Sequence, residues 1–442
     1  MVKRRISSVL LGWQKVFVNT LISTVGKAYN SLIVTFVIAL FILSGCTPKH
    51  KGFVIKGMKG YGWTPEICLE EVATLKEYGL NFFAPCYSSF FAEHDIEVFE
   101  ELDGYNLWWE PMSDDLKARW SKVVKACEEE RIIFCFGMNP MLFSPRPLDP
   151  AKDEDFDALL AKYRWFQEQG VSWFYIAIDD LHLQSHLEID AVGQSLFTNK
   201  LYAALKEHDS QCRMIFCPTW YRGKDLKVSE KRAYLEQLAE TLHKDILVFW
   251  TGEYTVSPEV SVDDVMRYKD VVKHEMILWD NYPVNDYHNT MNVAPLTGRE
   301  GGISEVLYGM MANPMRDNLM TRLPLYTMAD FMNNPYGYDP ERSIAAAIDH
   351  IAQNDVQKAL LEGLVQYYSS NLKFGSRTTK FFPVRDEFGR LLADNRGEAE
   401  VYMNGLQALY DGLCSEYADE TYALTKEIVR KDVEWMKSEL SK

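Results

Sequence analysis

From residue 52 onward, short apolar, β-prone runs recur with amphipathic helical stretches between them, and no other feature restricts the fold as strongly. The runs are Gly52 to Lys56, Leu80 to Ala84, Ile132 to Phe136, Trp173 to Ile178, Met214 to Cys217, Ile246 to Trp250, Met276 to Trp279, and a weak one near Ile303 to Leu307. Apolar strands alternating with helices imply a parallel sheet whose strands are buried. Eight such units predict an α/β fold closed as a (β/α)8 barrel of the TIM type over residues 52–333, rather than an open doubly wound sheet. At 442 residues and 47% hydrophobic content, the chain is long enough to bury one large core and a smaller one.

The helices carry recognisable ends. Thr64 before Pro65 supplies a side-chain cap and a proline in the first turn, where its missing N–H costs nothing. Cys68, Leu69, Val72 and Leu75 then fall on one helical face, and Gly79 supplies a left-handed stop. Near Asn333 the pattern changes. Asn334-Pro335-Tyr336-Gly337 reads as a turn, Asp339-Pro340-Glu341 as a helix start, and the remainder to Lys442 as helix without a convincing strand. Residues 334–442 are therefore expected to form a helical domain packed on the barrel.

The first 45 residues differ from the rest: Lys3, Arg4 and Arg5 precede an uncharged apolar run from Leu32 to Leu43, which is short for a full membrane span. The run ends in Leu43-Ser44-Gly45-Cys46, similar to a bacterial lipobox. The expectation is a lipoprotein signal peptide over 1–45, lipidation at Cys46, a short tether over 46–51, and an extracytoplasmic domain held to a bacterial membrane by its lipid. An uncleaved anchor would place the chain on the same side. The other seven cysteines form no Cys-x-x-Cys pair and are odd in number, so neither a zinc ribbon nor a disulfide framework is expected; small buried apolar residues are. A formal charge of -16 argues against a nucleic-acid partner, which needs clustered Lys and Arg.

In such a barrel the chemistry lies at the C-terminal ends of the strands. The fourth run delivers Asp179-Asp180 to that rim. Two adjacent carboxylates beyond a buried strand repel one another and are partly desolvated, which raises at least one pKa toward the range of an acid catalyst. Alone, an Asp-Asp pair at a strand end is more often a loop or helix cap. The neighbouring ends supply Cys217-Pro218-Thr219-Trp220-Tyr221, Trp250-Thr251-Gly252, and Trp279-Asp280-Asn281 running on to Asn285-Asp286-Tyr287. Aromatic faces stack on sugar C–H faces, while Asn and Asp fix hydroxyls; any one of these aromatics serves equally well as packing. His182 and His186 stand four apart, but Leu183 occupies the place where zinc peptidase chemistry needs Glu. Neither a metal nor a cofactor is expected.

At these residues the sequence resembles glycoside hydrolase family 84, the β-N-acetylglucosaminidases that include protein O-GlcNAcases. The likeness runs from about Gly52 to Ile351 and adds Gly298-Arg299 and Asn313-Pro314 to the motifs above. It implies a carbohydrate substrate bearing N-acetylhexosamine and substrate-assisted retaining catalysis, in which the sugar's 2-acetamido oxygen forms an oxazoline. By that likeness Asp179 orients the acetamido N–H and Asp180 serves as acid and then base. Tyr221, Trp279 and Asn281 line the acetamido pocket, Asp286 and Asn313 hold outer hydroxyls, and Gly57 lets the ring approach the backbone.

The chain departs from the family where Lys56-Gly57-Met58-Lys59-Gly60 stands for Glu-Gly-Phe-Tyr-Gly, and where Cys86 follows Ala84-Pro85 in place of a sugar-contacting Lys. Trp220 replaces the family's Glu before the active-site Tyr. Lys59, near the strand-one rim, is expected to replace the missing cation. Two other readings stand beside the exo-β-N-acetylglucosaminidase: a glycan-binding lipoprotein that kept the fold and lost turnover, and a hexosaminidase with N-acetylgalactosamine or internal-linkage specificity. If Cys46 is lipidated, globomycin will make an unprocessed precursor accumulate in cells expressing the full chain; unchanged processing rules the lipobox out.

Overall fold

A computed structural model describes residues 52–90, 106–181, 190–286, 290–369 and 383–442. The apolar run Leu32 to Leu43, Cys46, His182, His186 and Tyr287 lie outside the described residues. Eight parallel strands close into a barrel in chain order: β1 (Ile55–Lys59), β2 (Phe82–Ala84), β3 (Ile133–Met138), β4 (Trp173–Ala177), β5 (Arg213–Cys217), β6 (Leu247–Trp250), β7 (Met276–Pro283) and β8 (Gly309–Asn313). The last strand returns to the first, with Ile55 opposite Gly309 and Gly57 opposite Met311.

Helices α1 (Pro65–Glu77), α2 (Asp114–Glu129), α3 (Asp153–Glu168), α4 (Ala191–His208), α5 (Ser229–Thr241) and α6 (Val262–Val272) follow the first six strands, and α7 (Asn318–Asn333) follows β8. The α1 start follows the sequence: Thr64 Oγ1 accepts from the Ile67 N–H at 3.4 Å and Pro65 opens the helix. Its stop is Gly79 at φ +70°, beyond which the Leu80 N–H reaches back to the Leu75 carbonyl at 2.9 Å. Cys68, Val72 and Leu75 are buried, but Leu69 is 37% exposed. Each residue turns about 100° from the last, so Leu69 falls on the flank of the stripe that faces the barrel.

Two strand expectations are corrected. The first strand begins at Ile55 rather than Gly52, and the eighth is Gly309–Asn313 rather than Ile303 to Leu307, where a 3-10 turn (Gly301–Glu305) stands. Gly309-Met310-Met311-Ala312-Asn313 has no β-branched or aromatic residue, so strand propensity does not announce it. Tertiary packing selects it instead. A Cβ on Gly309 would meet the Ile55 side chain at 2.4 Å and the Ile55 carbonyl oxygen at 2.7 Å, so a residue without a side chain is what admits this strand beside β1.

Beyond Asn334 every described element is helical: α8 (Pro340–Ile351), α9 (Asp355–Tyr368), α10 (Pro383–Asp394), α11 (Arg396–Glu416) and α12 (Ala423–Leu440). Their apolar faces meet in a second core, with Leu361, Leu364, Phe388, Leu406, Val429 and Met436 fully or almost fully buried. Met291, Val293, Met315, Met320 and Leu323 belong to the same cluster and come from the segments that follow β7 and β8. Asp317 adds a polar tie. One oxygen caps α7 at the Met320 N–H (3.0 Å), and the other accepts from the Thr425 hydroxyl in α12 (2.8 Å). The helical region therefore braces the segments that follow strands seven and eight.

Gly57 is fixed by packing. A Cβ there would lie 2.0 Å from the Phe82 carbonyl oxygen, so β2's own backbone fills the space a side chain would need. Gly57→Ala should lower unfolding stability by roughly 1–3 kcal/mol through overpacking. Urea denaturation checks this, and an unchanged midpoint would return the glycine to a role in the cleft.

Candidate active site

Consecutive residues of a strand face opposite ways, so Asp179 and Asp180 could not share a pocket if β4 simply continued. It does not continue. Ile178 still pairs with β5, its N–H donating to the Cys217 carbonyl at 2.9 Å, and Asp180 then takes φ +51°, the left-handed region that Asp tolerates better than most residues. The turn is pinned from β5, because the Thr219 hydroxyl donates to the Ile178 carbonyl at 2.8 Å. Gln194 in α4 donates in turn to that hydroxyl at 3.2 Å.

The two carboxylates occupy different surroundings. Asp179 is 6% exposed, and Asn139 Nδ2 donates to its Oδ1 at 2.9 Å and to its backbone carbonyl at 3.2 Å. Asn139 is itself immobilised by the Met141 and Leu142 N–H groups, each donating to its Oδ1 at 3.0 Å. Asp180 is exposed, and the Tyr221 hydroxyl donates to its Oδ1 at 2.7 Å. Burial, and then the neighbouring Asp180 charge, push the Asp179 carboxyl up to about 7, against the Lys59 ammonium and the Asn139 hydrogen bond, which pull it down. The same burial and the two aspartates hold the Tyr221 hydroxyl far above the usual phenol range, so it remains a donor.

The pocket wall comes from β1, β7 and β8. Trp279 is buried, packed edge-on against Phe249 with ring centroids 5.3 Å apart, and the Lys59 ammonium lies 4.6 Å from its ring centroid. Two residues on, Asn281 donates to the Thr255 carbonyl at 2.7 Å and accepts from Asn313 Nδ2 at 2.7 Å. Asn313 Oδ1 and Trp279 Nε1 are buried with no hydrogen-bond partner among the described residues. Asp286 is half-buried, and its charge helps raise the hydroxyl of Tyr61.

The structure thus brings together Asp179, Asp180 and Tyr221, and joins Trp279, Asn281 and Asn313 on one stretch of wall. Asp286 stands by Tyr61 just beyond β1, whereas Gly57 lies within β1 against the β2 backbone. Several motif residues are scaffold. Trp250 packs on Tyr268 with centroids 5.8 Å apart, Gly252 (φ +96°) shapes the loop that presents the Thr255 carbonyl, and Arg299 forms a doubly hydrogen-bonded ion pair with Asp280, closest at 2.6 Å. Lys56 hydrogen-bonds Asn333 of α7. Asn139 was not singled out from the sequence, yet it is the first polar residue after β3, the position inspected on the other strands. Among the described residues no three His, Cys, Asp or Glu side chains are placed to hold a metal ion.

Comparison with known proteins adds an independent line. Residues 54–364 match the family model for beta-N-acetylglucosaminidase. The chain is 24% identical over 287 residues to the protein O-GlcNAcases of Rattus norvegicus and Mus musculus, which covers 62% of this chain and 29% of theirs. It therefore spans less than a third of the length of these relatives. A mutant of the Thermobaculum terrenum O-GlcNAc hydrolase superposes with a TM-score of 0.69 at 23% identity, covering 88% of this chain and 82% of that one; at that identity the likeness speaks for the fold.

A carboxyl lifted in the folded state makes stability depend on pH with a definite sign. Unfolded, Asp179 titrates near the ordinary value of about 3.9; folded, near about 7, so the native state holds an extra proton between them and loses stability as pH rises through that window. Asp179→Asn keeps an acceptor for Asn139 and removes the buried charge. Its Tm should exceed wild type by roughly 1–4 °C above neutral pH, with the gain vanishing below about pH 4. Calorimetry at the two extremes checks this; a lower Tm at both would contradict the charge assignment.

Proposed function

The chain belongs to glycoside hydrolase family 84, the β-N-acetylglucosaminidases, and from that premise we propose that it is a retaining exo-β-N-acetylglucosaminidase using substrate-assisted catalysis on glycans or glycoproteins. The observation that carries the reading is the division of labour in the pair: Asp179 buried and held by Asn139, Asp180 exposed and held by Tyr221, with Trp279 in the same pocket wall.

In this mechanism the acetamido carbonyl oxygen attacks C1 and the bond from C1 to the leaving oxygen breaks. Asp180 gives that oxygen its proton, so an alcohol departs and an oxazoline remains. A water then adds to C1 from the face the alcohol vacated, passing its proton to Asp180 as the oxazoline opens, and the configuration at C1 is retained. Asp179 accepts the acetamido N–H and stabilises the positive charge that develops on the amide. Hydrogen bonding to a carboxylate favours its ionised form, so substrate binding draws Asp179 to the charged state. The unpaired Trp279 Nε1 and Asn313 Oδ1 offer one donor and one acceptor to sugar oxygens.

We further propose, on the lipobox-like Leu43-Ser44-Gly45-Cys46, that the domain is exported and lipid-anchored.

An acetamido group that does chemistry cannot be dispensed with. A chromogenic β-N-acetylglucosaminide should be cleaved and the plain β-glucoside should not, and a thiazoline mimic of the oxazoline should inhibit. Equal turnover of both sugars would discard substrate assistance. Asp180→Asn should lose roughly 10²–10⁴-fold in kcat/KM with poor leaving groups and much less with an activated phenol, because only the former needs its oxygen protonated.

A further inference from the structure

The reaction outlined above leaves one charge of the pocket unused. Lys59 ends β1 on the same face of the strand as Ile55 and Gly57, and only 8% of its surface is exposed. Its ammonium lies 4.6 Å from the Trp279 ring centroid and 5.3 Å from that of Tyr87. Among the described residues no carbonyl, carboxylate or hydroxyl accepts a hydrogen bond from it. An ammonium has three N–H donors, and withdrawing it from water without acceptors is costly. Contact with ring faces recovers only part of that cost. Asn313 Oδ1 and Trp279 Nε1 are likewise buried without a hydrogen-bond partner among the described residues.

Lys59 also bears on the catalytic pair. The ionisable groups that face Asp179 are Asp180 on its own turn, Lys59 from β1, Tyr87 beyond β2, Tyr175 from β4, Cys217 from β5 and Tyr221 beyond β5. Lys59 is the one cation of this set, and its field opposes the burial and the Asp180 charge that keep Asp179 protonated.

We propose that Lys59 contacts the substrate directly, its ammonium donating charge-assisted hydrogen bonds to an oxygen of the bound sugar from its position over Trp279, while serving as the counter-ion of Asp179 when the acetamido N–H arrives. This rests on the amino-sugar hydrolase reading and extends it, because Lys59 reaches the pocket from β1 while the Ala-Pro-Cys end of β2 presents only the Cys86 thiol, 3.1 Å from the Ser88 hydroxyl.

The test compares wild type with Lys59→Met, which keeps the buried stem, and Lys59→Arg, which keeps the charge. With a chromogenic β-N-acetylglucosaminide, Lys59→Met should lose roughly 10- to 100-fold in kcat/KM, mainly through KM, as expected for a lost hydrogen bond from a charged group to bound sugar. The acid limb of its kcat/KM profile should move to higher pH, because Asp179 loses its counter-ion, and Lys59→Arg should recover part of both effects. A Lys59→Met enzyme with wild-type KM and an unmoved acid limb would overturn the proposal while leaving the hydrolase intact. If wild type turns over no acetamido sugar, the hydrolase reading fails on its own, and two measurements still judge Lys59: carbon-13 NMR titration of Asp179, and calorimetric binding of the thiazoline mimic. An upward-shifted titration and weakened binding in Lys59→Met support the role; a titration and an affinity equal to wild type refute it.

Discussion

The barrel closes because β1 can be approached from both sides at once. Gly57 leaves room for the carbonyl of Phe82 on one flank, and Gly309 leaves room for Ile55 on the other. Without those two bare Cα positions β2 and β8 would be held away from β1, and a sheet with a strand held off at the seam keeps two open edges rather than none. The consequence reaches the rim. With β1 drawn in, Lys59 at its end lies close enough to β7, two strands away, for its ammonium to rest over the Trp279 ring.

The chemistry follows from a second local departure. A strand that kept its alternation would send one aspartate into the pocket and the other toward the helices. The left-handed residue at 180 undoes that alternation, and the resulting neighbours differ in everything except identity. One is desolvated and anchored by an amide whose own oxygen is tied to two backbone N–H groups; the other meets solvent and a phenol. Two carboxyl groups in such different surroundings can divide the work of one reaction, and groups fixed in advance act on developing charge without reorganising.

Much of the wall is held from behind by residues whose importance is structural. The Asp280–Arg299 pair, both side chains almost wholly buried, faces away from Asn281 and ties β7 to the loop after β6 through the Pro258 carbonyl. Thr219 fastens the Asp179 turn, Gly252 bends the loop that fixes Asn281, and Asp317 links the base of α7 to α12. These account for the motifs Cys217-Pro218-Thr219, Trp250-Thr251-Gly252 and Gly298-Arg299 as devices that hold other groups still. A short motif in a chain does not disclose whether its residues touch a ligand or position the ones that do.

Hydrophobic periodicity together with local cap and turn chemistry determined the repeated strand and helix pattern, the capped start of α1 at Thr64, the turn to helices after Asn334, and the placement of Asp179-Asp180 at a strand end. Those features depend on contacts within a few residues of chain, where apolar spacing and capping chemistry are written directly. Tertiary structure decided the rest, because it depends on groups far apart in sequence. The eighth strand is chosen by what fits beside Ile55 rather than by its methionines, Asn139 becomes part of the site only when β3 lies next to β4, and Gly57 proves to face a neighbouring strand. Above all, the raised proton affinity of Asp179 comes first from burial, which only the assembled barrel supplies; the adjacent Asp180 charge was legible in the sequence, whereas the opposing Lys59 cation from β1 was not.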